Sequence, residues 1–307
     1  MNAYKLVRML ESNKQEGHAE PIVVRSLYFR HALKASATVA SESGVVSPSA
    51  LHPEGSRESF LLGRFLPEPL GGEIVIGHSN QIRTFETGVN TGAGYSNIWK
   101  TLENKPQELP ELSADSWPKP AMAAYVKIWE QNKAAMMRAE NKNPEDFAKL
   151  DPFEQARIAE ASEEEIVADW VENPNSELAK MFPPETQAAL VAKLVEDDIL
   201  KSKRLKAGTK LEQFRLSHKT VFEPLLMKIL LYSDGSHIQH LADIGRAMGL
   251  NDGFIIDSKQ VGDKVEAALI MYRVDRSGNE PRYVRTRYEI DMTELHRLAE
   301  EGRKITQ

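Results

Sequence analysis

Between residues 121 and 200 the chain carries a pattern that leaves little choice of fold. Met122, Tyr125, Val126, Trp129, Met136 and Met137 recur at helical spacing as one apolar stripe. Three helix starts follow. Asp151-Pro152 sets proline at a first helical position, Ser162 with Glu165 has capping-box spacing, and Pro184-Glu185 opens a stretch whose Leu190, Val191, Leu194, Val195 and Ile199 share a face. Acidic side chains crowd the same region, and residues 101–200 carry a net charge of −11. They fall in first turns and on outer faces, where helix dipoles favour them. This predicts a solvated acidic helical segment, able to dock a protein partner.

The flanks read differently. Residues 3–12 have the spacing of a short helix, Ile22 to Leu33 that of a strand, and Phe60 to Phe65 that of a second strand. Residues 41–57 read as a long loop. Glu73–Ile76 and Gln81–Glu86 read as short strands around a turn at Gly77-His78-Ser79-Asn80. The glycines at 88, 92 and 94 lack the Gly-Lys-Ser/Thr ending of a phosphate loop, and predict a flexible finger or subunit contact. Pro106 to Pro120 reads as a linker. After an apolar run at 221–232 comes a helical stripe at Ile238, Leu241, Ile244 and Met248. A hairpin then spans 265–290 about Ser277-Gly278-Asn279, and 292–303 form a closing helix.

The expected fold class is therefore α+β: a β-rich region over 1–118, an acidic helical region over 119–205, and an α+β module over 206–307. The last carries a basic hairpin of the kind found in OB and RRM sheets or on winged helices.

The chain of 307 residues has no cysteine, which excludes disulfides, zinc-thiolate and iron–sulfur centres and a cysteine nucleophile. No apolar run reaches membrane-spanning length, and no signal-peptide core is seen, so a cytoplasmic protein without membrane contact is expected. No catalytic motif stands out: there is no Gly-x-Ser-x-Gly, no Gly-x-Gly-x-x-Gly after a strand and no His-Glu-x-x-His. The run Glu163-Glu164-Glu165 and the doublet Asp197-Asp198 are assigned no catalytic role. His237 and His240, with Asp234 and Asp243 nearby, read as surface residues rather than metal ligands, and no metal or cofactor is expected.

The C-terminal third carries +4. Lys201, Lys203, Arg204, Lys206 and Lys210 cluster there, followed by Arg215, His218 and Lys219, and such a cluster attracts phosphates. Tyr283, Arg285 and Arg287 alternate along one strand face, with Arg273 near the turn. Arginine neutralises phosphate and tyrosine stacks on bases. These residues predict a non-enzymatic DNA- or RNA-binding protein, single strands included, serving replication, recombination or a phage or mobile element. The alternative is a self-assembling shell or filament subunit that uses its Gly- and Ser-rich loops for homo-oligomeric contacts.

Overall fold

The computed structural model describes residues 23–35, 40–41, 44–45, 50–96, 105–113, 117–275 and 282–306. The expected helix at 3–12, the Ser277-Gly278-Asn279 turn and residues 42–43 and 46–49 of the 41–57 loop lie outside them. One eight-stranded mixed sheet organises the rest. Its strands are β1 (Val23–Arg30), β2 (Glu73–His78), β3 (Gln107–Glu108), β4 (Lys210–Ser217), β5 (Leu230–Leu231), β6 (Gly253–Val261), β7 (Lys264–Asp275) and β8 (Arg282–Ile290). Their order is β3-β2-β4-β1-β6-β7-β8-β5. The strands from β3 to β1 are mutually parallel, and those from β6 onward pair antiparallel.

Each central strand is buried on both faces, so β1 shows almost no polar alternation and all but one of its residues are buried. Its neighbours in sequence still point to opposite sides. Leu27 and Phe29 join Leu62, Ile76, Phe214 and Leu216 under α1 (Pro53–Phe65) and α2 (Ile82–Tyr95). Tyr28 packs on the other side, among Val191, Val195, Phe222, Leu225 and Leu298. The helices on that side are α5 (Pro184–Leu200), α6 (Glu223–Ile229) and α7 (Met292–Ile305). A further helical layer, α3 (Lys119–Ala139) and α4 (Pro152–Glu172), has its own aromatic core of Trp117, Trp170 and Phe182.

The helical middle forms as its periodicity predicts, and Asp151 caps α4 by accepting from the amides of Phe153 and Glu154. Ser162, however, lies inside α4 and hydrogen-bonds back to Ile158 O. The OB, RRM or winged-helix module is overturned by the sheet itself. The hairpin β7–β8 is present but is the antiparallel flank of the larger sheet, and β1 meets β4 across a separation of 187 residues, as at Ser26 and Gln213. Local patterning carries no information on such a pairing.

Three smaller expectations also change. Residues 60–65 belong to α1 rather than a strand, and the 73–86 segment is strand, turn and helix rather than a hairpin. Gly88, Gly92 and Gly94 lie within α2 and form no finger. A Cβ at Gly94 would stand 2.0 Å from Phe60 O, and one at Gly63 would stand 2.0 Å from Thr91 O, so glycine lets α1 and α2 touch backbone to backbone. The expected helix at 238–248 is a single turn over Leu241–Ile244, ended by Gly245 at φ 93°. Among the described residues no helix is long and apolar enough to cross a membrane.

Candidate active site

Parallel sheets bind ligands beyond the carboxyl ends of their strands. Here β1 and β4 run in a register that pairs Arg30 with Ser217, so the next residue of each, His31 and His218, emerges side by side. The His31 amide donates to Ser217 O at 2.9 Å, and the two imidazole centroids stand 5.1 Å apart. The neighbouring strand β2 ends at His78, and Ser79 follows with its hydroxyl 2.7 Å from His218 Nε2. The chain then enters α2, whose first turn carries Arg83, and Arg83 Nη2 lies 3.4 Å from His218 Nδ1. Further along α2, Thr87 Oγ1 accepts from the Ala32 amide at 3.1 Å and holds the segment after His31 against the helix.

These contacts fix both imidazole tautomers. His31 Nδ1 lies 2.7 Å from Ala32 O, which can only accept, so Nδ1 carries the proton and Nε2 keeps its lone pair. Arg83 can only donate, so His218 Nδ1 accepts and Nε2–H donates to Ser79 Oγ.

Around the histidines lies a cavity of about 310 Å³, lined by Arg30, Lys34, Arg83 and Lys219 and by two carboxylates of α4, Glu160 and Glu163. Arg30 is buried at the end of β1. Its Nη1 donates to Glu160 at 2.5 Å and to Met248 O at 2.9 Å, its Nη2 lies 3.2 Å from Glu163, and its buried Nε has no protein partner. Lys219 Nζ donates to Glu160 O at 3.0 Å and lies 3.7 Å from Glu163. Thr220 follows at φ 76°, a left-handed conformation that costs a β-branched residue about 1–3 kcal/mol and here bends the chain at the cavity wall.

Crowded positive charge sets the protonation states. Burial, followed by the nearness of Arg83, His218 and Arg30, holds His31 well below the usual imidazole range. His218 is pushed down to about 3 by burial, then by Arg83, Arg30 and Lys34. Both rings are neutral near pH 7. Burial and Arg30 bring the Arg83 guanidinium down to about 10, while for Arg30 the two carboxylates outweigh burial and raise it. Burial and then Arg30 lower Lys219. Four cations face two carboxylates, a surplus of two positive charges, at the N-terminus of a 14-residue helix. The cavity suits a dianion beside a neutral imidazole with a free nitrogen.

Of the basic cluster singled out from the sequence, His218 and Lys219 line this cavity, and the residues expected to bind nucleic acid lie elsewhere. Lys201 pairs with Asp198 at 2.8 Å and Arg204 with Asp197 at 3.9 Å, on the turn after α5, while Lys203, Lys206 and Lys210 are exposed there and at the start of β4. Arg273 pairs with Asp252 at 3.1 Å. Tyr283 stacks on Phe65 at 4.6 Å, Arg285 lies over the same ring at 4.4 Å, and Arg287 is exposed on β8. None of these nine lines the histidine cavity. His237 and His240 stand on the surface, 3.6 Å from Asp291 and 3.5 Å from Glu172.

Sequence reasoning passed over His31, Arg83 and Glu160, and it gave Glu163 no role and His218 only a general attraction for phosphate. The signal that could have found the pair is positional: each histidine directly follows an apolar strand-like run, Leu27-Tyr28-Phe29-Arg30 and Phe214-Arg215-Leu216-Ser217.

No protein-family model and no curated protein matches the chain. Among solved structures, the phytase from Citrobacter braakii superposes with a TM-score of 0.51 at 9% identity, covering 91% of this chain and 96% of that one. The phytase of Klebsiella sp. ASR1 gives 0.45 at 10% identity over 90% and 95% of the two chains. A phosphoglycerate mutase from Plasmodium falciparum gives 0.34 at 11% over 86% and 98%. The Citrobacter likeness shows a shared fold. The fold shared with the Citrobacter phytase and the sheet itself correct the nucleic-acid reading, the non-enzymatic reading and the assembly alternative together. The sheet that was to grip nucleic acid is not an OB or RRM sheet, the solved structure whose fold this chain shares is named as a phytase, and the glycine finger of the shell model is a packed helix.

Proposed function

We propose that the chain hydrolyses phosphate monoesters through a phosphohistidine at His31. The observation that carries this reading is the His31 ring itself. Its Nδ1–H is engaged by Ala32 O, and it lines a cavity with a surplus of two positive charges. A dianionic phosphoryl group fits that surplus, and Nε2 is the nucleophile. Attack forms the Nε2–P bond and breaks the P–O bond to the leaving group. The cations spread the charge of the equatorial oxygens in the transition state. Glu160 and Glu163 are the carboxyls lining the cavity among the described residues. As the phosphoryl dianion draws Arg30 and Lys219 toward itself, one of these carboxyls takes up a proton, gives it to the leaving oxygen, and then takes a proton from the water that releases phosphate and restores His31. The shared fold with a phytase supports the reading.

The test is turnover of p-nitrophenyl phosphate, with an alkaline quench and phosphorus NMR to detect phosphohistidine. The wild-type protein is expected to turn over and to show the signal. His31→Ala should lose both, with kcat falling on the order of 10⁴-fold or more. At least one of Glu160→Gln and Glu163→Gln should lower kcat roughly 10²- to 10⁴-fold. Undiminished turnover by His31→Ala would overturn the reading.

A further inference from the structure

The ring of His218 presents an acceptor where a phosphate needs a donor. Its Nδ1 lies 3.4 Å from Arg83, which lines the cavity, whereas its Nε2 lies 2.7 Å from the hydroxyl of Ser79, fully buried behind the ring. Arg83 only donates, so the proton sits on Nε2 and Nδ1 turns a lone pair toward the cavity. The two imidazole centroids are 5.1 Å apart, so a phosphoryl group bound at His31 meets His218. Its oxygens and that lone pair are all acceptors and repel one another. The one N–H of the ring points where no ligand reaches.

Behind the ring, hydroxyl hydrogen bonds run in a single direction. Thr84 Oγ1 lies 2.5 Å from Gln81 O and 3.2 Å from Ser79 O. Carbonyls only accept, so the Thr84 hydroxyl proton goes to one of them, and Ser79 Oγ, 3.0 Å away, donates to Thr84 Oγ1. Ser79 in turn accepts from His218 Nε2–H. Neither Ser79 nor Thr84 has accessible surface, so water does not compete. A hydroxyl can rotate, however. Turned from Thr84 to the imidazole, Ser79 becomes the donor and Nε2 the acceptor.

We propose that Ser79 and Thr84 form a switch that sets the tautomer of His218, thrown by a dianion bound at His31. The proposal rests on the phosphatase reading and names both as positioning residues of that site. The dianion draws Arg83 away from Nδ1. The ring gives its Nε2 proton to water and takes one from water at Nδ1, and its charge is unchanged. Nδ1–H then donates to a phosphoryl oxygen, and Ser79 turns to donate to Nε2. Arg83, Arg30 and Lys34 oppose the other route, a second proton on the ring. The bond from Ser79 to Thr84 holds the donor form back until an anion arrives.

The test is nitrogen NMR of ¹⁵N-histidine-labelled protein near neutral pH with sulfate, a dianion that carries no proton there. His218 is assigned by difference from His218→Gln. Without sulfate Nε2 should be the protonated nitrogen, and with saturating sulfate Nδ1 should be. Thr84→Val removes the hydroxyl that holds Ser79. The Nδ1–H form should then be populated without sulfate, and sulfate should bind roughly three- to tenfold tighter, the worth of about one hydrogen bond. Thr84→Ser restores a hydroxyl and should match wild type. If Thr84→Val does not fold, the wild-type spectra decide alone. No sulfate binding, Nε2 keeping its proton in the sulfate complex, both nitrogens protonated there, or a Thr84→Val protein with the wild-type tautomer and affinity would overturn the switch. An unmoved tautomer in a protein that hydrolyses p-nitrophenyl phosphate would overturn the switch alone. A tautomer exchange in a protein that hydrolyses no monoester would overturn the phosphatase reading and leave the switch standing.

Discussion

His218 illustrates how much a single residue's surroundings decide. It is buried between Ser79 and Arg83, with two further cations near, and stays neutral down to about pH 3. In the unfolded chain an imidazole titrates near 6.5. Its folded pKa is depressed, so the unfolded state binds the proton first as pH falls. The stability this group contributes is complete above about 6.5 and is lost progressively below it. His31 shifts in the same direction. Urea midpoints measured between pH 7 and pH 4 should therefore fall, each histidine adding up to about 1.4 kcal/mol per pH unit. His218→Gln should flatten the fall, and an equally steep profile in that variant would refute the assignment. None of this was legible in the sequence. A histidine after a strand looks like any other until the partner strand brings a second one beside it, and Glu163 looks like one more acid on a solvated helix until Arg30 meets it.

At the scale of elements, the α1–α2 pair depends on having no side chains where the helices touch. Gly63→Ala or Gly94→Ala would drive a methyl into the carbonyl of Thr91 or Phe60. The helices must then separate, and because Leu62 and Tyr95 belong to the core they cover, the cost should be about 1–3 kcal/mol, read as a lower denaturant midpoint at unchanged slope. A variant as stable as wild type would contradict the close packing. The same glycines explain why this pair could not be read in advance. Glycine lowers helix propensity, so Gly88 to Gly94 looked like a loop, whereas α3 to α5 rest on apolar stripes and proline or aspartate starts that act within one element. Helices held by local signals were legible; helices held by their neighbours were not.

For the whole molecule, the tie between the helical layer and the sheet is a buried network. Asp198 of α5 accepts from Arg215 of β4 through Nε and Nη2, both at 2.8 Å, and from the Tyr28 hydroxyl of β1 at 2.9 Å. Burial alone would raise the Asp198 carboxyl, yet Arg215 and Lys201 hold it below the usual carboxylate range. Asp198→Ala would strand a guanidinium out of water and should cost roughly 3–5 kcal/mol in equilibrium unfolding; Asp198→Asn should recover part of that. In the sequence Asp198 is half of an acidic doublet on a solvated helical segment and Arg215 follows a basic cluster that attracts phosphates; neither position shows that the other is its partner, because the two lie in different elements. The parallel pairing of β1 with β4 has a further consequence, in time rather than space. A ribosome adding roughly 5–20 residues per second needs on the order of 10–40 s to cover the 187 residues between Ser26 and Gln213. For that interval Val24, Leu27, Tyr28 and Phe29 have no β4 to close over them. The apolar strand that leads into the proposed nucleophile waits for a partner made 187 residues later, which makes it a natural site for a holding chaperone during synthesis.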